Sequence, residues 1–201
     1  YNTLVTKNST SFPALLGYAN TLSNLKIYDE ALEYVTKALA VSPDNTNALI
    51  SKKYIQLGYA NQYVQSQEYA KALALLQNNL TLFKDDKDTL LNIANIHLIT
   101  NALDDAKTTY KVIAVNDSIT AVNGLALVSH LKGQEKKALQ LSTKAYSKIE
   151  KQTDTTLINQ TKERHIQALI WNKKYASAET LINELLAKQP NANWVLALQA
   201  I

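Results

Sequence analysis

The chain has 201 residues, of which 46% are hydrophobic and 19% are charged, and its formal net charge is +4. This composition supplies a packed core and excludes an intrinsically disordered chain. With only 4 Gly and 3 Pro, the sequence lacks the frequent turn signals of an all-β sandwich or barrel. The absence of Cys excludes disulfides, thiolate metal ligands and cysteine nucleophiles. Long helices with short polar connections are therefore expected.

The sequence begins at Tyr1 and contains no Met, which indicates a processed chain or an excised fragment. No apolar run approaches the ~20 residues that a membrane helix needs, and no signal peptide is recognisable. Membrane association would therefore require an anchor outside this sequence. The missing Cys, the trimmed start and the Asn-, Thr- and Lys-rich composition favour a periplasmic or cell-envelope location over a cytoplasmic one.

Along the chain, the clearest periodic feature is an Ala placed three residues after a large or long side chain. In the fourth case the residue three positions before the Ala is Glu135. These anchor alanines are spaced 41, 34, 32 and 40 residues apart. Another packing residue follows each anchor by seven positions, on the same helix face, and then a turn rich in Pro, Asp, Asn and Ser. The pattern predicts helix pairs repeated about five times. The anchors are Ala31, Ala72, Ala106, Ala138 and Ala178.

The spacing of the anchor, the apolar residue seven positions later and a Pro five positions beyond resembles the tetratricopeptide repeat. Ala31, Ala38 and Pro43 show this spacing, and so do Ala178, Leu185 and Pro190. The stretch 12–46 matches the family best, although it lacks the family's Trp and the Gly after its first Leu. Its matching positions are Leu15, Tyr18, Ala19, Leu22, Tyr28, Ala31, Val35, Ala38 and Pro43, and the third unit follows with Leu90, Ile93, Ala94, His97, Leu103, Ala106, Tyr110 and Ile113.

The resemblance implies an all-α fold, a right-handed α-solenoid of about five helix-turn-helix units plus a terminal helix. The chain 1–201 is then a single array. The terminal helix is almost entirely apolar, whereas a capping helix usually has a polar outer face, so continuation of the array or docking of a partner is favoured there. The expected units are 12–45, 46–86, 87–118, 119–152 and 153–192, followed by the terminal helix 193–201.

Few residues are candidates for chemistry. His97, His130 and His165 lie roughly one unit apart, without the i, i+4 pairing of a helical zinc site, and are interpreted as packing or edge positions. The glycines are isolated, so no phosphate-binding loop is present, and no nucleophile elbow accompanies the Ser and Thr residues. We therefore expect no enzyme activity, no cofactor, no metal and no small-molecule substrate. Paired acids at the predicted helix starts are interpreted as caps: Asp29-Glu30, Asp85-Asp86-Lys87-Asp88 and Asp104-Asp105.

The aromatic composition is biased, with 11 Tyr against 2 Phe and 2 Trp. Tyr54, Tyr59, Tyr63 and Tyr69 cluster in the second unit, where Tyr59 and Tyr63 share a helix face and Tyr54 is offset. In one interpretation these side chains pack seams between repeats and leave their hydroxyls at the surface. In the other, some line a groove and bind a peptide, because Tyr offers a large contact area at low entropic cost. This cluster is the first place to look for a ligand.

Tetratricopeptide arrays commonly bind partners along the concave surface of their inner helices, and the asparagines there resemble the family's contacts to peptide backbone. The competing interpretation of each Asn is a solvated polar position. The basic residues of the family's carboxylate clamp are missing, so a chaperone-tail receptor of that kind is not expected. The candidate partner-binding residues are Asn20, Asn24, Tyr54, Tyr63, Asn92, Asn95, Ile99, Asn123, Leu127, Arg164, Gln167 and Trp171.

Positive charge is concentrated between Lys132 and Lys151, where six Lys stand against two Glu. Four of these lysines flank the apolar stripe of one predicted helix: Lys137, Lys144, Lys148 and Lys151. Such a stripe suits an acidic protein, a membrane surface or nucleic acid. A nucleic-acid reader would use Arg and interleaved aromatics, so a solvated face is favoured and nucleic acid is not the expected partner.

The sequence predicts a non-enzymatic scaffold or adaptor that binds a protein or peptide along its concave groove, in a bacterial cell-envelope assembly. Two alternatives stay open. The chain is the regulatory repeat region of a larger enzyme or signalling protein, or it is a helical repeat that binds RNA. The full reading frame separates the first alternative from the scaffold, and steep salt dependence of binding would mark the second.

Overall fold

The computed structural model describes residues 11–115, 118–190 and 192–198. Over these residues the chain forms eleven α-helices, one 3-10 turn at Ile149–Lys151 and no strand. The predicted all-α class is confirmed. The helices are α1 Phe12–Asn24, α2 Tyr28–Val41, α3 Thr46–Gln65, α4 Tyr69–Leu82, α5 Lys87–Ile99, α6 Leu103–Ala114, α7 Ile119–Leu131, α8 Glu135–Tyr146, α9 Thr155–Trp171, α10 Tyr175–Lys188 and α11 Asn193–Leu198.

The anchor alanines are packing positions, as predicted. Each is the fourth residue of an even-numbered helix from α2 to α10. Four of them are 0% exposed and Ala178 is 3% exposed. A methyl group at these points lets neighbouring helices approach closely, and a larger side chain would have to displace packed atoms.

The turn inside each helix pair has the same conformation five times. The residue two positions before each even-numbered helix has a positive φ, between 58° and 68°. In the first turn the N–H of Lys26 donates to the Ser23 carbonyl and the N–H of Ile27 donates to the Leu22 carbonyl, both at 2.9 Å. This bond pair is the Schellman motif, which closes a helix end. The same two bonds recur at the corresponding residues of the other four turns, whose positive-φ residues are Gln67, Asn101, Gly133 and Lys173.

The prediction that the paired acids cap helices is correct for Asp86 and wrong for Asp29 and Asp104. Asp86 accepts a hydrogen bond from the N–H of Thr89 at 3.0 Å, whereas α2 and α6 have no side-chain cap. The reason is position, since Asp29 and Asp104 lie inside the first turn rather than at the residue before it. Asp29 accepts from the Tyr59 hydroxyl and Asp104 pairs with Lys132 instead.

The described chain divides into two compact units, residues 11–96 and residues 97–198. In the first unit α1 packs against α2 and α3, and α3 packs against α2 and α4. Its core includes a cluster around Leu22, Val35 and Ile55. A second cluster, around Leu76 and Ile96, joins α3 and α4 to α5.

In the second unit α7 packs against α6, α8 and α9, while α9 also packs against α8, α10 and α11. Ile166, Ile182 and Val195 lie in one core cluster of this unit. The predicted terminal helix 193–201 is described as far as Leu198, which is buried with Val195. Residues 199–201 lie outside the described part of the chain.

Candidate partner-binding surfaces

The candidate asparagines of the first unit lie on α1 and α5. Asn20, Asn24 and Asn95 are exposed. The Asn92 amide donates to the Asp88 carbonyl of its own helix at 2.8 Å. These positions are on the surface, and their role as partner contacts stays a prediction.

Two tyrosines of α3, Tyr59 and Tyr63, form a chain of hydrogen bonds that ends at Asp29. Tyr63 donates its hydroxyl hydrogen to the Tyr59 hydroxyl at 2.7 Å, and Tyr59 donates to the Asp29 carboxylate. The Tyr59 and Tyr63 rings stack with centroids 4.4 Å apart, which confirms their shared face, and Tyr28 stacks on Tyr59 at 5.8 Å. Burial, helped by the hydrogen bond to Asp29, raises the pKa of Tyr59 above its usual range. Tyr59 and Tyr63 therefore already have hydrogen-bond partners within the protein.

Tyr54 is separate from this chain. Its side chain is 57% exposed, and the Lys53 ammonium lies 5.1 Å from its ring centroid. That ammonium also pairs with Asp86 at 2.5 Å, and both side chains are largely buried, with 13% and 15% exposure. Tyr54 therefore covers an internal ion pair with one ring face and presents the rest of the ring to solvent.

In the second unit two odd-numbered helices, α7 and α9, lie side by side and are joined by two side-chain contacts. The Asn123 amide donates to the Thr161 hydroxyl at 2.8 Å. Further along both helices the His130 and Trp171 rings stack with centroids 3.7 Å apart and planes 4° from parallel. We call this surface the α7–α9 strip and define it by Asn123, Leu127, His130, Thr161, Arg164, Gln167 and Trp171. It contains five of the predicted residues, and all except Thr161 are partly exposed.

Arg164 lies between the two joined ends of the strip. Its Nη1 donates to Gln167 Oε1 at 2.8 Å, and its guanidinium carbon lies 5.9 Å from the Trp171 ring centroid. Gln167 in turn donates to a Glu163 carboxylate oxygen at 3.2 Å. Burial lowers the pKa of Arg164, although the nearby Glu163 charge opposes this shift. Within the described residues no carboxylate lies within 4.0 Å of the guanidinium.

The sequence interpretation did not include His130 and Thr161 in this surface. Nδ1 of His130 lies 2.9 Å from both carboxylate oxygens of Glu135, so the ring is held between Trp171 and Glu135. A signal existed, since Asn123, Leu127 and His130 follow i, i+4 and i+7, one helix face. Ile99, the other candidate of this unit, is 55% exposed at the end of α5, and no described contact connects it to the strip.

A Ser–His contact in the second unit does not form an accessible nucleophile. Ser142 Oγ lies 3.1 Å from His165 Nδ1 but donates to the Leu139 carbonyl at 3.0 Å. Ser142 is 0% exposed, so a substrate has no access to it. Burial lowers the pKa of His165, which stacks on Tyr146 at 4.7 Å. The described residues hold no group of three or more His, Asp or Glu arranged for a metal, and none of their helices is long and apolar enough to cross a membrane.

Comparisons with known proteins identify the fold. No protein-family model matches the chain, and no curated protein matches it. Among solved structures, YrrB, described as a TPR protein with an unusual peptide-binding site, matches with a TM-score of 0.61 at 15% identity over 100% of this chain and 97% of its own. A tetratricopeptide repeat protein from Parabacteroides merdae matches with a TM-score of 0.73 at 15% identity, covering 94% of this chain and 71% of its own. The chain has the tetratricopeptide-repeat fold. PilW, a widely conserved type IV pilus biogenesis factor, shares it with a TM-score of 0.67 at 17% identity, covering 98% of this chain and 87% of its own.

At these identities the similarity concerns the fold alone, so the functional residues of those proteins are not transferred to this chain. The predicted resemblance is confirmed at the level of architecture.

Proposed function

We propose that the chain is a non-enzymatic interaction scaffold that binds a protein or peptide, and that the α7–α9 strip is its binding surface. The observation that carries the proposal is the pair of contacts, Asn123 to Thr161 and His130 to Trp171. They hold two helices in one register and leave partly exposed polar and aromatic groups between them. A site whose side chains are held in place loses less entropy on binding than a mobile one.

The dimensions of the strip suit an extended peptide. At about 1.5 Å per residue, the rise from Thr161 to Trp171 on α9 is about 15 Å. Four or five residues of extended chain, at about 3.3 Å each, cover that length. Trp171 and Leu127 offer apolar contact area. The Asn123 amide contributes by holding α7 against Thr161 of α9.

The exposed first-unit candidates Asn20, Asn24, Tyr54 and Asn95 extend the proposal to a second contact area. Tyr63 already donates its hydroxyl hydrogen to Tyr59, so only the acceptor capacity of that hydroxyl is left for a partner, and we propose Tyr54 as the stronger contact. We further propose that the scaffold serves a bacterial cell-envelope assembly, on the basis of the Cys-free, Asn-, Thr- and Lys-rich composition. Fractionation of the source cells tests this location, and recovery of the full-length product in the cytoplasm alone would contradict it.

The binding surface is tested by panning a random 12-residue peptide display library on the purified chain and measuring Kd for the enriched peptides. Trp171→Ala should weaken binding about tenfold or more, since buried aromatics at an interface often carry that share of affinity. Asn123→Ala should weaken it by a smaller factor. Thr180→Ala, at an exposed α10 position whose hydroxyl only bonds its own helix, is the control. Failure to enrich any peptide, or equal affinities for all variants with intact helicity, contradicts the proposed surface.

A further inference from the structure

We propose that the segment bound by the α7–α9 strip carries an acidic side chain and that Arg164 receives its carboxylate. This inference rests on the proposed function. It names the chemistry of the ligand, which neither the fold nor the comparisons provide.

The guanidinium of Arg164 has unused donors. An Arg side chain has five N–H donors, and the structure shows one acceptor for them, Gln167 Oε1 at 2.8 Å. The side chain is partly removed from water, and no carboxylate of the described residues is within ion-pair distance. A partly dehydrated cation without a counter-ion is costly. A bound carboxylate would supply that counter-ion.

The nearby acids of the protein are already engaged. Glu163 accepts from Gln167 Nε2 at 3.2 Å and forms no ion pair with Arg164, although its charge is near enough to oppose the lowering of the Arg164 pKa. Glu135 holds His130 Nδ1 at 2.9 Å. Neither acid neutralises the guanidinium directly, and this leaves a single positive charge on the strip.

The geometry around Arg164 favours a carboxylate of a polypeptide. The Trp171 ring lies beside the guanidinium and limits its orientations, and the planar fork of Arg matches the two oxygens of a carboxylate. Asn123, bonded to Thr161 one turn before Arg164, joins the two helices on which the segment would lie. The strip contains no Lys, so its charge matches a carboxylate better than a phosphate of charge about −1.5 to −2.

The first experiment observes Arg164 directly. It is the only Arg in the sequence, so its Nε–H gives a single, unambiguous resonance in a 15N-labelled sample. N-acetyl-glutamate amide and N-acetyl-glutamine amide, titrated into the protein at constant ionic strength, are the probes. The Glu probe should move this resonance saturably and the Gln probe should not. Equal movement with both probes, or no movement with the Glu probe, overturns the proposal.

The second experiment uses peptides enriched on the protein. Replacing each acidic residue of such a peptide by its amide should cost about tenfold or more in Kd at one position, the usual effect of losing a charge-assisted hydrogen bond. In the Arg164→Gln protein that replacement should have no further effect, whereas in Lys162→Gln, which removes one charge from the neighbouring position, it should keep its full effect. Circular dichroism of each variant establishes that it is folded.

The outcomes separate this inference from the proposed function. Peptides that bind the strip with no preference for an acid, or that lose equal affinity in Arg164→Gln and Lys162→Gln, overturn the carboxylate site and leave the scaffold standing. Peptides that prefer a phosphoserine over a Glu at the critical position also overturn it. If no peptide binds while the Glu probe still shifts the Arg164 resonance, the carboxylate site stands and the proposed peptide surface fails.

Discussion

The two units use their polar side chains in different places. In the first unit they join an odd-numbered helix to an even-numbered one: Tyr59 on α3 bonds Asp29 on α2, and Gln56 on α3 donates to Asn78 on α4 at 2.9 Å. In the second unit such pairs also occur, as between His130 on α7 and Glu135 on α8, but side chains additionally join two odd-numbered helices, α7 and α9, through Asn123 and His130. The two units therefore share a backbone repeat, but in the second unit a side-chain hydrogen bond and a ring stack also join odd-numbered helices to each other and form the α7–α9 strip.

This difference shows that repeat geometry does not by itself make a binding site. The tyrosine chain of the first unit ends on a carboxylate of the protein. In the second unit, the Arg164 guanidinium donates to the neutral amide of Gln167. A ligand gains little binding free energy from a group that already has its hydrogen bonds and counter-charge within the protein. It gains more from a group that lacks them. The four predictions below compare the stability of matched features in the two units.

The largest effect is expected at the buried ion pair of the first unit, Lys53 with Asp86, which we compare with the exposed pair of Lys132 and Asp104 in the second unit. Asp86→Ala removes the buried partner of Lys53 and the acceptor of the Thr89 N–H and hydroxyl, so it should lower the free energy of unfolding by about 2–3 kcal/mol. Asp104→Ala breaks the pair with Lys132 at an Asp that is 85% exposed, and should leave stability unchanged within error. Urea denaturation of both variants makes the comparison, and equal losses would contradict it.

The next effect concerns one helical Gly in each unit. A Cβ at Gly124 would lie 2.4 Å from the Tyr110 ring, which is 3% exposed and cannot move aside. A Cβ at Gly58 would lie 2.7 Å from the outer end of the Tyr28 ring. This ring is partly exposed and can move aside. Gly124→Ala should therefore destabilise by about 1–3 kcal/mol. Gly58→Ala should range from neutral to about 1 kcal/mol stabilising, because Ala favours helix. Thermal unfolding of both proteins measures this, and the reverse order would show that Tyr110 is the more mobile ring.

A smaller effect is expected at the Schellman turns. Lys26 in the first unit and Lys173 in the second adopt positive φ, at 62° and 58°, where Gly133 has 68°. Lys26→Gly and Lys173→Gly should each stabilise the protein by about 0.5–1 kcal/mol, and Gly133→Ala should destabilise it by about 1 kcal/mol. Chemical denaturation of the three variants checks the signs. Destabilisation by both Lys-to-Gly changes would mean that the lysine side chains contribute more than the turn strain costs.

The smallest effect is a difference in the pH at which each unit loses stability. The pKa of His165 is lowered from 6.5 by burial. As pH falls below 6.5 the unfolded chain therefore takes up a proton before the folded one, and stability decreases. The pKa of Asp86 is lowered from 3.8, since hydrogen bonds from Lys53 and Thr89 outweigh the effect of burial. Its contribution is complete above pH 3.8 and is lost as pH falls through the folded pKa.

These windows are tested by measuring unfolding at pH 7, 5 and 3. The loss of stability between pH 7 and 5 should be smaller in His165→Gln than in the unmodified protein. The loss between pH 5 and 3 should be smaller in Asp86→Asn. If His165→Gln changed only the acid limb below pH 4, the assignment of the two windows would be wrong.

Much of the architecture follows from local pattern. The spacing of Ala31, Ala72 and the later anchors predicts the helix pairs, because a small residue at a fixed place in each pair marks the closest approach of helices. The shared face of Tyr59 and Tyr63 follows from their separation of one helical turn. The left-handed turns were not predictable at Lys26, Gln67 and Lys173, since these residue types favour no positive φ and the surrounding helices impose it.

Of the candidate surface, five strip residues are identified by the register of the repeat, but their partners are not. Thr161 and His130 became part of the site only through Asn123 and Trp171, which are distant from them in sequence. The capping role predicted for Asp29 failed because the exact start of α2 was not predicted: Asp29 lies inside the first turn, and its carboxylate bonds Tyr59 on another helix.

The residue pattern alone predicts the all-α class, the paired helices and the burial of the anchor alanines. These depend on which face of each helix is apolar, a property that repeats along the chain with the helical period. The contacts between polar groups of different helices are visible only in the folded protein. The same holds for the position of Arg164 on the strip, where no described carboxylate lies within 4.0 Å. Those outcomes depend on the axial stagger and rotation of neighbouring helices, which packing of the whole unit sets and no single helix encodes.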